Sequence, residues 1–197
     1  GYLVEDNDAT IWRGPMASGA LQQLYKDTAW PALDYLIVDM PPGTGDIQLT
    51  MAQQVPLTAA VVVTTPQDLA IADAQKGIAM FNKVNIPVLG LVENMSFYQC
   101  TACGHKEYIF AKDGGNLLAE RYNLPLLGAL PLDLRIREHA GSGEPLLVSK
   151  PDSPLSDVYR EMARAVSFEL ATTVPVAADQ GRNIKGDPIA FNPLTDS

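Results

Sequence analysis

Four short apolar runs punctuate this chain and limit what it can become: YLIVD at 35–39, AAVVVT at 59–64, IPVLGLVEN at 86–94 and LPLLGALP at 124–131. Each is continuous, with no polar residue at every second position, as expected of strands buried on both faces of a parallel sheet. Helical patterns lie between them. From Gln67 to Val84, residues Leu69, Ala72, Ile78, Ala79 and Phe81 fall near one helix face, in a segment that begins after Thr-Thr-Pro and stops before Asn-Ile-Pro. Further helices are expected at 16–26, 46–54, 116–122 and 155–170. Strand and helix in alternation predict an α/β fold: a mostly parallel sheet flanked by helices and joined by right-handed crossovers. The stretch 172–197 is rich in polar residues, Pro and Gly and has no period, so it reads as an irregular tail on a domain spanning 1–171.

Composition narrows the function classes. A chain of 197 residues with 47% hydrophobic residues can bury a full core. Its formal net charge of -9 offers no basic surface, so neither nucleic acid nor an anionic membrane is expected as a direct partner. No apolar run reaches the roughly 18–20 residues of a membrane span, and the start GYLVEDNDAT has no signal-peptide pattern. A cytoplasmic protein is expected. Its two cysteines are too few for a disulfide framework.

The carboxyl ends of the four runs read D-M-P-P-G-T-G-D, T-T-P-Q-D, E-N-M-S and P-L-D. Open α/β sheets bind ligands outside these ends, where loops and helix N-termini converge. In the first, Asp39 followed by a glycine turn suits water-mediated magnesium binding beside terminal phosphates. Gly43 and Gly45 would let backbone N–H groups approach an anion. The competing reading is a rigid Pro-Pro-Gly turn whose helix is capped by Asp46 or Thr44. No G-x-x-x-x-G-K-[ST] string occurs anywhere in the chain, the lysines at Gln75-Lys76-Gly77 and Ile184-Lys185-Gly186 included. The main phosphate cradle would therefore lie upstream of Gly1, or no nucleotide binds.

Cys100 and Cys103, with His105 two positions further on, form a single C-x-x-C. A thioredoxin-like redox pair would sit at a helix N-terminus, whereas this pair follows a strand and lies in a Gly/His/Lys loop. Zinc on Cys100, Cys103 and His105 lacks a fourth ligand. A [4Fe-4S] cluster needs four thiolates, which a two-fold homodimer supplies by presenting the pair twice. A metal-free loop is the remaining reading. The six methionines share no spacing and read as core. His139, near two carboxylates in EHAGSGEP, has no nucleophile elbow beside it.

In their order the motifs WRGPM (12–16), DYLIVDMPPGTGD (34–46), VTTPQDLAIADAQKGIAMF (63–81), GLVENMS (90–96), C-x-x-C-G (100–104), IF (109–110), GG (114–115), LGALPLD (127–133) and IRE (136–138) resemble the Mrp/ApbC-type iron-sulfur cluster carriers. These are P-loop ATPases of the broad class of MinD and the nitrogenase iron protein, and the resemblance covers roughly the first 170 residues. It implies a MinD-like P-loop NTPase fold, incomplete at the N-terminus because the family's P-loop precedes the WRGPM segment. It implies that Asp39 is the Walker-B-like carboxylate on the magnesium side and that Gly43 belongs to the switch loop facing the γ-phosphate. Asn94 would hydrogen-bond the adenine of ATP, and Pro131, Leu132 and Asp133 would form the loop over that base. The bland alternatives are an Asn94 that caps its own turn and an Asp133 that caps the helix after it. The resemblance further implies a [4Fe-4S] cluster bridging a homodimer through Cys100 and Cys103 and passed to apo iron-sulfur proteins, with ATP and Mg2+ as cofactors. Whether this chain is itself an ATPase is left open by the missing P-loop. The rival function is a non-catalytic dimerisation or interaction domain with a structural zinc or no metal. A MinD-like membrane regulator would want a basic amphipathic helix near the C-terminus, which the tail does not offer.

Overall fold

The computed structural model describes residues 19–20, 23–41 and 43–173, without the side chains of Asp46 and Ile47. The chain divides at Pro56/Leu57 into two units.

In the first unit the backbone is helical at 19–20 and 23–26, inside the helix expected over 16–26, whose remaining residues lie outside those described, as does the WRGPM segment. Helix α1 (Asp46–Gln54) forms where its pattern predicts, with Gly45 in the N-cap position and no side-chain bond from it. The strand expected at 35–39 does not form. Residues 36–40 join no ladder, and Ile37 is 84% exposed. An apolar run announces a tendency to be buried, but a strand exists only where a neighbour's N–H and C=O groups face it. Among the described residues, 35–39 are paired with no strand.

The second unit holds the three remaining strands: β1 (Ala60–Thr64), β2 (Val88–Glu93) and, after two short strands, β5 (Leu126–Ala129). They form one parallel sheet in the order β1-β2-β5. All six residues of β2 are buried, as its unbroken apolar run predicts for a central strand. Helix α2 (Asp68–Lys83) crosses from β1 to β2, with Asp68 in its first turn and Lys83 in its last, both favourable to the helix dipole. Its Ile78 and Phe81 are buried. Helix α3 (Gly114–Tyr122) leads to β5 and ends on Asn123 in the left-handed conformation that terminates helices. Two helices follow β5, α4 (Leu134–Gly141) and the single turn α5 (Leu146–Ser149). Helix α6 (Pro154–Thr173) then lays Tyr159, Met162, Val166 and Leu170 over Leu89, Val92, Leu127 and Leu130 of the sheet. Helix α6 continues through the first two residues of the predicted tail, and 174–197 lie outside the described residues.

Between β2 and α3 the chain makes an excursion that carries a second, separate sheet: β3 (Tyr98–Gln99) and β4 (Lys106–Glu107), antiparallel, with Tyr98 opposite Glu107 and Gln99 opposite Lys106. Two residues per strand are too few for a period, so the sequence offers only the loop. No described helix is long and apolar enough to cross a membrane.

Candidate metal and nucleotide site

The C-x-x-C occupies the tip of the β3–β4 hairpin. The N–H of Cys100 donates to the His105 carbonyl (2.9 Å), and the N–H of Gly104 donates to the Cys100 carbonyl (2.8 Å), which closes a tight turn around both cysteines. Gly104 takes φ +73°, a left-handed conformation that a side chain would strain. Gln99 Nε2 donates to the Gly104 carbonyl at 3.0 Å and braces the turn from the strand. Backbone N–H groups of Cys103 and Ala102, then the Cys103 thiol, hydrogen-bond the Cys100 sulfur and hold its pKa below the ordinary thiol value. A sulfur that already accepts backbone N–H bonds is prepared to carry negative charge. Both cysteines are free thiols, Cys103 exposed and Cys100 half-buried.

The surroundings of the pair are exposed and partly apolar. Tyr98, Tyr108, Ile109 and Phe110 all show a third or more of their surface. Lys106 Nζ stands 4.4 Å from the Phe97 ring centroid and Lys112 Nζ 5.5 Å from that of Tyr108, cation–π contacts that keep both ammonium groups on the excursion. His105 is exposed and uses its carbonyl to close the turn. Among the described residues no group of three or more His, Cys, Asp or Glu could hold a metal ion, so the three-ligand zinc site on Cys100, Cys103 and His105 is not assembled.

The residues expected on the nucleotide side fall in both units. Asp39 is exposed at the end of its run, and Gly43 takes φ +99° in the turn leading to α1. Gln48, buried in α1, lies against that turn: a Cβ on Gly43 or Gly45 would stand 3.4 Å from its amide. Thr44 is exposed, and the side chain of Asp46 lies outside what is described.

In the second unit Asn94, Pro131, Leu132 and Asp133 come together at the carboxyl edge of the sheet, the edge marked in the sequence. Asn94 donates its N–H to the Thr64 carbonyl at 2.7 Å, while its Oδ1 accepts from the Met95 N–H at 2.9 Å. Asn94 therefore does cap its own turn, as the bland reading has it, and its amide NH2 remains able to donate. The Ser96 N–H donates to the Leu130 carbonyl (2.9 Å) and the Leu132 N–H to the Phe97 carbonyl (2.8 Å), so the 131–133 loop is bonded to the strand that leads to the cysteines.

Asp133 is the N-cap of α4: its Oδ1 accepts from the Arg135 N–H at 2.9 Å, and the guanidinium grips both oxygens, at 2.9 Å and 2.6 Å. The Arg135 side-chain hydrogen bond holds the Asp133 carboxyl below its usual pKa against the opposing effect of burial. His139 Nδ1 meets Ser149 Oγ at 2.9 Å and ties α4 to α5. A shallow cavity of about 430 Å³, lined by Asn116, Glu120, Asn123 and Leu126 among others, lies at the amino end of β5, and none of the expected site residues lines it.

Sequence reasoning missed one polar residue at this edge. Glu93, at the end of β2, is only 3% exposed. It accepts a hydrogen bond from Ser96 Oγ at 2.5 Å and another from the Gly115 N–H at the start of α3. An acidic residue closing an apolar run, with Gly-Gly further along the chain, was the available signal.

A parallel sheet with α/β crossovers and polar groups at its carboxyl edge is an arrangement that P-loop NTPases share. Structural comparison agrees. A nucleotide-binding protein solved in complex with ADP from Archaeoglobus fulgidus superposes with a TM-score of 0.63 at 34% identity, over 71% of this chain and 56% of that one. The cell division ATPase MinD of Pyrococcus furiosus shares the fold at a TM-score of 0.57 and 20% identity, over 79% of this chain and 59% of that one. Within that class the chain belongs to the NUBPL iron-transfer P-loop NTPase family, a ParA-type family whose model matches residues 1–167. It is 58% identical over 170 residues to the iron-sulfur cluster carrier protein of Salmonella typhimurium, covering 86% of this chain and 46% of that protein. It is 49% identical over 173 residues to the mouse iron-sulfur cluster transfer protein NUBPL, covering 88% and 54%. The chain thus spans about half the length of the curated relatives it matches.

Proposed function

We propose that this chain carries an iron-sulfur cluster as cargo. Cys100 and Cys103 of two copies hold one [4Fe-4S] cluster between them, and the homodimer passes it to apo iron-sulfur proteins. The observation that carries this reading is the hairpin tip: two free thiols, Cys103 exposed and Cys100 half-buried, with no third ligand group among the described residues, one of the sulfurs already accepting backbone N–H bonds. A site so incomplete within one chain is completed most economically by the same patch on a second copy. Two thiolates per copy also hold a cluster loosely enough to release it. In transfer, a recipient thiol forms its Fe–S bond as a Cys100 or Cys103 Fe–S bond breaks, and the recipient's proton goes to the departing thiolate. No electron need move. Free thiols with this role belong in a reducing compartment such as the cytoplasm.

The family resemblance and the ADP-bound neighbour support a nucleotide as cofactor. We assign its base side to Asn94 and the Pro131–Asp133 loop, and its phosphate and magnesium side to Gly43 and Asp39, the two residues that would serve catalysis in the presence of a phosphate cradle. ATP and Mg2+ would supply the binding energy that changes dimer geometry. Because the chain contains no G-x-x-x-x-G-K-[ST] string, the 197-residue polypeptide is expected to show no ATP turnover. Magnesium-dependent phosphate release above blank by the purified chain would refute this.

The test of the carrier reading is anaerobic reconstitution with ferrous iron and sulfide, followed by iron and acid-labile sulfide counting and absorption spectroscopy. About four iron atoms per two chains are expected. No cluster in the wild type, or an unaltered one in Cys100→Ser/Cys103→Ser, would sink the proposal. Zinc bound in place of iron under the same conditions would favour the rival dimerisation domain.

A further inference from the structure

The chain leaves the main sheet after Glu93 and rejoins the fold at α3, and both cysteines lie on the excursion between. Its departing limb is well held: Ser96 and Phe97 are bonded to Leu130 and Leu132 through the backbone. The returning limb, through Tyr108, Ile109 and Phe110, is exposed and irregular. Its end is held by the packing of α3, where Gly114 lies close against Pro66 and Leu118 and Ala119 are buried, and by one carboxyl group that ties it back to the departing limb. Glu93 Oε2 accepts from the N–H of Gly115, 22 positions along the chain, while Oε1 accepts from Ser96 Oγ on the departing limb.

Two features mark this as a built joint. Helix α3 has no side-chain cap of its own: its N-cap residue Asp113 is in the left-handed region and makes no capping bond. Glu93 therefore takes the place of the cap, satisfying a first-turn N–H that would otherwise be orphaned, with a carboxylate that suits the positive end of the helix. And Gly115 lies tight against that side chain: a Cβ there would stand 2.8 Å from Glu93 Oε2, closer than real Cβ contacts come, and 3.0 Å from Glu93 Cβ, so the bond could not survive unshifted.

We propose that Glu93 is a positioning residue for the cargo: by bonding Ser96 and Gly115 at once it closes the base of the loop that bears Cys100 and Cys103, and so fixes how the two thiols are presented. This rests on the carrier reading. Glu93 touches neither thiol, so its effect passes through the loop.

The experiment compares wild type with Glu93→Ala, Glu93→Gln and Ser96→Ala. On the metal-free chain, amide hydrogen exchange is followed across 97–112 and across β2. Glu93→Ala is expected to speed exchange in 97–112 about tenfold with β2 unchanged, the effect of losing one buried hydrogen-bonded anchor. Glu93→Gln keeps an oxygen for Gly115 and a second polar group for Ser96, and is expected to stay near wild type. On the anaerobically reconstituted chain, iron loss to a chelator should quicken about tenfold in Glu93→Ala and about threefold in Ser96→Ala, which removes one arm only. Exchange in 97–112 that does not change, or that rises equally throughout β2 and β5, overturns the joint. So does iron loss that is unchanged in both Glu93→Ala and Ser96→Ala while the wild type holds its cluster, a result that leaves the carrier reading standing. Should Glu93→Ala not fold, Ser96→Ala decides by the same two readouts. A wild type that takes no cluster removes the carrier reading and, with it, the cargo role.

Discussion

Strand β2 and the β3–β4 hairpin are separated by a short turn, yet they differ in almost every physical respect. In β2 all six residues are buried between parallel neighbours, and Leu91 is 0% exposed. In the hairpin all four strand residues are exposed, the ladder is two pairs long, and its sheet is separate from the main one. A two-stranded hairpin of this size does not hold itself together in water. It borrows order from the sheet through Glu93, Ser96 and Phe97. Stability thus resides in one region and the proposed metal chemistry in the other, and substitutions should separate the two.

The largest expected effect on stability is at the centre of β2. Leu91→Ala removes a fully buried side chain and should cost about 2–5 kcal/mol in urea denaturation. The folded fraction should still take up iron to the wild-type ratio. Iron uptake that falls in proportion to stability would show that the two regions are not separable.

Asp133 at the cap of α4 should give an intermediate effect and a pH signature. Asp133→Ala is expected to cost roughly 0.5–2 kcal/mol at pH 7. Because Arg135 holds the Asp133 carboxyl below its usual pKa, its stabilising contribution is complete above the unfolded-state value and is lost as pH falls through the lower folded value. Urea midpoints of wild type and variant should therefore converge as pH falls below the ordinary carboxylate range. A gap that widens on acidification would contradict the assigned ion pair. Arg135 is half exposed, so added salt should narrow the gap at pH 7.

The smallest expected effect on stability accompanies the largest on chemistry. Cys100→Ser/Cys103→Ser alters only the exposed hairpin tip and should stay within about 0.5 kcal/mol of wild type. It should lose all bound iron. A large drop in the metal-free chain's urea midpoint would place the cysteines in the stabilising framework rather than outside it.

Much of the fold was legible beforehand because the apolar runs are long enough to carry a signal. β1, β2, β5, α1, α2, α3 and α6 fall within a few residues of their expected bounds. The run at 35–39 is equally apolar but forms no strand, since pairing depends on a neighbour's edge and not on the run itself. α4 was foreseen only as the turn that Asp133 would cap, because its sequence carries charges and no residue of it is buried, and α5 escaped notice because four residues are too few for a helical period. Of the candidate site residues, the cysteines drew attention by their spacing, while Asn94 and Pro131–Asp133 were marked by the family resemblance and lie, as their place after apolar runs predicts, at the carboxyl edge of the sheet. Glu93 was not singled out, because a carboxylate closing a buried strand looks the same in sequence whether it faces solvent or a helix N-terminus.

By itself, then, the sequence determined the parallel α/β layout, the carboxyl edge where polar groups collect after the apolar runs, and a thiol pair too small for a closed metal cage. These follow from hydrophobic periodicity and ligand count, which are properties of neighbouring residues. Only the tertiary structure decided that the pair sits on an exposed hairpin, that His105 does not join it, and that a carboxylate 22 positions from its glycine partner closes the base of the loop. Such features depend on where distant segments meet, and packing fixes that through close approaches, like that of Gly115 to Glu93, which no local pattern records.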